Sequence, residues 1–267
     1  MTGLDAMSWP AVPPHATVLL PIGSTEQHGP HLPFDTDAVI ARRVASAVAD
    51  RMRTAGSPVV VAPVLAYGAS GEHQSFAGTI SIGHEALRFV VIELVRSLST
   101  WAERIVLVNG HGGNVPTLAS AVPQLRAEQH RVAWLPCAPP AIADANAGAP
   151  PPAAARVGAS LPAADARVGA SLPAADAHAG RTETSVMLHL APDTVALPLP
   201  GAGNTAPMAV LLPLMAAGGV SAVSPNGILG DPSGATATEG AALFDAMVTD
   251  ALRRVTADDV TDRGMLR

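Results

Sequence analysis

Four short aliphatic runs, each followed by a stretch of helical spacing, constrain the fold of this chain more than any other feature. The runs are 16–22, 57–64, 104–108 and 131–135, each short enough for a buried parallel strand. Between them, 36–52 sets Val39, Ile40, Val44 and Val48 on one side, and 85–101 does the same with Leu87, Val90, Val91, Leu94 and Leu98. The segment 114–128 continues with Leu118, Val122 and Leu125, and Pro116 suits a first helical turn. A last helix over 238–255 carries Leu243, Met247, Val248, Ala251 and Leu252. This alternation predicts βαβ units, hence an α/β fold whose mostly parallel sheet is flanked by helices. Only 3% of residues are aromatic, so the core must be built from Ala, Val, Leu and Met.

The alternation is interrupted at about 138–176. There ARVGASLPAAD (155–165) is followed by an identical copy (166–176), next to an Ala/Pro run. Two copies cannot make a solenoid, which needs three or more stacked units, so the segment reads as an expanded surface loop without chemistry. A net charge of -6 gives no basic footprint for nucleic acid. Cys137 is the single cysteine, which excludes an intrachain disulfide. No basic region precedes an apolar stretch at the N-terminus, and no run reaches the ~20 apolar residues of a membrane span. The expectation is a soluble cytoplasmic protein with no membrane partner.

The chemistry gathers in three blocks. GSTEQHGPHLPFDTD (23–37) follows the first run and holds Glu26, His28, His31, Asp35 and Asp37, a density of imidazole and carboxylate that reads as one wall of a metal site. NGHGGN (109–114) follows the third run, and ligands of open parallel sheets bind at the carboxyl ends of strands, so both blocks converge on one edge. Its glycines let the chain turn sharply while His111 faces the site. A phosphate cradle is the competing reading, but neither GKS/GKT nor GxGxxG order is present. HAGRTETSVML (178–188) is the third block, with Glu183 opening a helix. Two divalent ions carry a charge of +4, and Glu26, Asp37 and a bridging hydroxide supply -3, so Glu183 provides the remaining negative charge. Glu72 and His73, in the loop after the second run, read as substrate-facing groups.

EQHGPHLP with TD following, then NGHGGN, then HAG with ETS, resembles the creatininase family of creatinine amidohydrolases and related metal-dependent amidases. The likeness covers nearly the whole chain apart from the Ala/Pro insert. It implies a single domain over 1–267, a three-layer αβα sandwich, two divalent ions (Zn, Fe or Mn) and a homo-oligomer, hexameric in the family. Carried over by motif, Glu26, Asp37 and His111 hold one ion, and His28 with Asp37 the other, with Asp37 bridging. Creatininases proper have Glu two residues after the His of NGH, where this chain has Gly113, and Glu before the His of the third block, where it has Ala177. Both departures disfavour creatinine as substrate and mark Glu183 as the replacement carboxylate. His178 survives and is the expected proton donor to the leaving amine. The stretches YGASGEHQSFAGTISIG and GILGDP look most like family members that act as peptidases on a small, ribosomally made, modified precursor peptide. The alternatives are a small-molecule amidohydrolase acting on creatinine or a formamide and, from another class, a non-catalytic nucleotide-binding regulatory protein.

Overall fold

A computed structural model describes residues 3–139 and 176–267. Its sheet has four strands, β1 (Thr17–Ile22), β2 (Val59–Val61), β3 (Arg104–Asn109) and β4 (Val132–Pro136). They run in the order β2-β1-β3-β4 with every pair parallel, Leu19 lying beside both Val61 and Val106. Six helices accompany them among the described residues: α1 (Thr36–Thr54), α2 (Gly83–Leu98), α3 (Val115–Ala127), α4 (Arg181–Leu190), α5 (Met208–Gly218) and α6 (Ala237–Ala257).

Strand side chains alternate between two cores. Leu19, Val61, Val106, Val108, Ala133 and Leu135 face α1, α4 and α6 through Ile40, Val44, Val48, Met187, Met247 and Val255. Val18, Leu20, Val60, Ile105, Leu107, Val132 and Trp134 face α2 and α3 through Leu87, Val91, Val95, Leu118 and Leu125. This is the expected three-layer αβα arrangement, each buried Val or Leu contributing about 1.5–3 kcal/mol of transfer free energy.

The sequence reading differs from the structure in two places. β2 is three residues long where eight were expected, because its ladder runs into Pro21 of β1, which has no N–H to give; Ala62 N–H still reaches Leu19 O, and pairing resumes only where Leu65 N–H reaches Pro21 O. The helix α5 was not foreseen. Its sequence MAVLLPLMAAG is apolar all round and offers no 3.6-residue contrast, and Val210, Leu212 and Leu214 are more than half exposed. The tandem repeat lies outside the described residues except for Asp176. Among the described residues no helix is long and apolar enough to cross a membrane.

Candidate metal centre

The three motif blocks meet at the carboxyl edge of the sheet. β1 ends into the loop holding Glu26 and His28, Asp37 sits in the first turn of α1, and β3 ends into Asn109 and His111. Glycine permits this convergence. A Cβ at Gly110 would lie 2.4 Å from Asp37 O, and one at Gly23 would lie 2.5 Å from Ala38 N, so the ends of β1 and β3 abut the start of α1 only without side chains. Asn114 ties the loops together, accepting from Ala69 N–H (2.9 Å) and donating to Gly23 O (3.0 Å) and Asn109 Oδ1 (3.2 Å). The second asparagine of NGHGGN is thus committed to the scaffold, as is Asn109, which donates to His111 O (2.7 Å).

Glu26, His28, Asp37, His111 and His178 are all buried and come together, with Glu183 at their margin, its side chain 24% exposed. Glu26 Oε2 lies 3.2 Å from His111 Nε2. Asp37 presents one oxygen to each of two imidazoles: Oδ1 is 3.3 Å from His28 Nε2, and Oδ2 is 3.3 Å from His111 Nδ1. Glu183 Oε2 is 4.0 Å from His28 Nε2 and accepts from Ala179 N–H at 2.5 Å. Four of these buried polar atoms, Glu26 Oε1 and Oε2, His28 Nε2 and Asp37 Oδ2, have no hydrogen-bond partner. Such atoms are costly to bury unless something else satisfies them. Spacings of 3.2–3.3 Å are close to the ~3.4 Å between donors arranged tetrahedrally about an ion ~2.0–2.1 Å away. Among the described residues, three groups of donors cluster tightly enough to hold a cation: Glu26, Asp37 and His111; His28, His178 and Glu183; and Glu26, His73 and His178.

Backbone carbonyls orient the imidazoles. His28 Nδ1 lies 3.1 Å from Glu26 O, His111 Nε2 lies 3.1 Å from Ala69 O, and His178 Nε2 lies 2.7 Å from Gln27 O. A carbonyl only accepts, so each of these nitrogens carries the proton and the opposite nitrogen, His28 Nε2, His111 Nδ1 or His178 Nδ1, offers its lone pair.

The electrostatics are those of an anionic well. Burial disfavours a charged His28, yet Asp37 and Glu183 outweigh it and pull the imidazole up to about 10. His111 is likewise penalised by burial but raised to about 10 by Glu26 and Asp37. Burial lifts the Glu26 carboxyl to about 7 against the attraction of His111. Asp37 is opposed by the same burial, but His28 and His111 hold it below the usual carboxylate range. For His178, burial and the neighbouring His28 push the imidazole well below its ordinary value. The cluster favours positive charge, as a cation site must.

Other candidate residues are placed elsewhere. His31 Nε2 pairs with Thr184 Oγ1 (2.8 Å) at the start of α4, and Asp35 is exposed at the N-cap of α1. Two residues enter that the motif reading did not place at the centre. His73, read from sequence as substrate-facing, is 3% exposed, with Nε2 3.3 Å from Glu26 Oε1. Gln27 links it to the loop, its Nε2 2.8 Å from His73 Nδ1. The signal for both was adjacency, since Gln27 separates two predicted ligands and His73 follows a strand on the functional edge. Glu72 stays at the rim, 30% exposed, with Oε1 3.8 Å from His111 Nε2.

The family model for creatininase, described as creatinine amidohydrolase, matches residues 5–255. A Mycobacterium ulcerans protein, the mycofactocin precursor peptide peptidase, is 48% identical over 263 residues, covering 97% of this chain and 90% of its own. Among solved structures, a Bacteroides fragilis protein described as a creatinine amidohydrolase superposes with a TM-score of 0.68 at 22% identity, covering 90% of this chain and 88% of that one. A manganese form of creatininase gives 0.61 at 24% identity, with 91% of each chain covered. At such identities the structures speak for the fold, while the family model and the mycobacterial relative speak for descent: this chain belongs to the creatininase family.

Proposed function

We propose that this chain is a metal-dependent peptidase that hydrolyses an amide bond near the C-terminus of the modified mycofactocin precursor peptide. It releases the C-terminal dipeptide core in the biosynthesis of that redox cofactor. The observation that carries this reading is the 48% identity to the mycofactocin precursor peptide peptidase of Mycobacterium ulcerans across 97% of this chain.

Glu26, Asp37 and His111 would hold one divalent ion, and His28, Asp37 and Glu183 would hold the second. Asp37 would be shared between them, a role supported by its two oxygens facing different imidazoles at 3.3 Å each. The mixed nitrogen and oxygen donors suit Zn, Fe or Mn. When bound, such a pair lowers the pKa of water to about 7 and polarises the scissile carbonyl. The chain's own groups move the protons. His178 Nδ1 is the open lone pair, because Nε2–H is committed to Gln27 O at 2.7 Å. Neutral at pH 7, His178 takes a proton from the attacking water at Nδ1. Its depressed pKa then makes it a strong donor to the leaving amine.

The single cysteine fits a cytoplasmic enzyme. A homo-oligomer, hexameric by family resemblance, would cover the exposed apolar residues Val210, Leu212 and Leu214 of α5. A solution mass equal to the 27.0 kDa monomer would reject it. For the activity, metal-loaded protein is incubated separately with modified precursor peptide and with creatinine, and the products are read by mass spectrometry. Dipeptide release from the peptide alone is expected; an intact peptide under metal-replete conditions overturns the reading.

A further inference from the structure

Gln27 lies between two ligand residues in sequence, is 5% exposed, and touches two histidines. Its amide orientation follows from backbone groups. Gly29 N–H can only donate, so the atom 2.8 Å from it is Gln27 Oε1. Gly227 O can only accept, so the atom 3.1 Å from it is Gln27 Nε2. Gly227 makes this fit possible, since a Cβ there would lie 2.0 Å from Gln27 Oε1.

With the amide fixed, the remaining Nε2 hydrogen meets His73 Nδ1 at 2.8 Å, and that ring nitrogen must accept. A neutral imidazole accepting at Nδ1 carries its proton on Nε2, and His73 Nε2 is the atom 3.3 Å from Glu26 Oε1. The same residue sets His178 the opposite way, because the Gln27 carbonyl takes the proton on His178 Nε2 at 2.7 Å. The free Nδ1 of His178 then lies 3.8 Å from Glu26 Oε1. One glutamine thus turns an N–H of His73 and a lone pair of His178 toward a single carboxylate oxygen.

We propose that Gln27 is a positioning residue that locks His73 as the Nε2–H tautomer. His73 then turns its Nε2–H toward Glu26 Oε1, 3.3 Å away, and ligates no ion, and His178 Nδ1 is left as the free base of the pair. This removes the group Glu26, His73 and His178 from the possible cation sites among the described residues. The inference rests on the two-ion reading given above.

The test is long-range proton–nitrogen NMR on 15N-histidine-labelled full-length protein, metal-free and zinc-loaded, with His73→Gln to assign the ring. His73 is expected to show a pyridine-type Nδ1 and a pyrrole-type Nε2 in both states, while zinc shifts the ring nitrogens of His28 and His111. Gln27→Glu keeps the acceptor for Gly29 N–H but loses the donor to His73. It should flip His73 to the Nδ1–H tautomer and lower kcat about 10–100-fold with KM little changed. A pyrrole-type Nδ1 on wild-type His73, or a zinc-induced shift at its Nε2, overturns the proposal. Should zinc shift no histidine at all, the metal reading fails, and the tautomer signals still decide the role of Gln27. If Gln27→Glu does not fold, the wild-type spectrum alone is decisive.

Discussion

Gly113→Ala adds one methyl group at the place where the centre tolerates it least. The new Cβ would lie 2.3 Å from His111 Nε2, 2.5 Å from Ala69 O and 2.7 Å from Glu72 Oε1. Ordinary contact requires about 3.5 Å, so the imidazole must withdraw by about 1 Å. The methyl group also wedges into the 3.1 Å bond between His111 and Ala69 that orients the ring. Metal–ligand distances tolerate about 0.2 Å, so a displacement of this size removes His111 from any ion that Glu26 and Asp37 share. Loss of an outer-shell partner alone costs about 10–100-fold in metal affinity, and the variant should fall by at least that much. Overpacking adds about 1–3 kcal/mol of destabilisation, which at ~2–4 °C per kcal/mol lowers Tm by about 2–12 °C. Gly112→Ala is the matched control, one residue away, with nothing within 4 Å of its Cβ. Neither glycine has a positive φ, so backbone strain does not blur the comparison. Competition with a chromophoric chelator reads the affinity, and thermal unfolding reads the stability. If Gly113→Ala binds zinc as tightly as Gly112→Ala, His111 is not a ligand and the steric argument fails.

Asp37→Asn should lose both ions, whereas His28→Ala should lose one; elemental analysis of untagged protein gives the stoichiometry, and two ions retained by Asp37→Asn would reject the bridge. Because carboxylates raise His28 and His111 to about 10, a metal ion must displace their protons near neutrality, so affinity should rise with pH from 7 towards 10. Calorimetry in buffers of different ionisation enthalpy should show net proton release on zinc binding, and no release would contradict the electrostatics. In metal-free protein the same raised imidazoles stabilise the fold fully below their unfolded value of 6.5, and that contribution is lost as pH rises through about 10; chemical denaturation across pH 6–11 checks the direction. Gly240→Ala would set a Cβ 1.8 Å from Ser185 O, where α6 crosses α4. It should cost about 1–3 kcal/mol in thermal unfolding while leaving metal stoichiometry unchanged.

The sheet and most of its helices were legible because their signals are local and periodic. Leu87, Val91 and Val95 repeat every four residues and all end at 0% exposure on one face of α2. What failed to show was α5, whose uniform apolarity carries no period, and the truncation of β2, which depends on where Pro21 of β1 falls in the ladder. A strand's pairing partner is a long-range fact. Nothing within residues 57–64 states that Pro21 will stand opposite them.

The candidate centre divides along the same line, and the division is chemical. Glu26, His28, Asp37 and His111 were visible because donor-rich blocks followed strands, and strand ends of a parallel sheet share an edge, whereas Glu183 came from charge counting and His178 from the family resemblance. Their protonation was not visible, because it is set by backbone carbonyls, a group that every residue carries. Ala69, Gln27 and Glu26 each lend a backbone oxygen that decides which nitrogen of His111, His178 or His28 is free. Gly227, 200 residues from Gln27, leaves the space in which the Gln27 amide must lie one way round. A motif can therefore name the donors, but the atom that each one offers is fixed only when the loops from β1, β2 and β3 close around them.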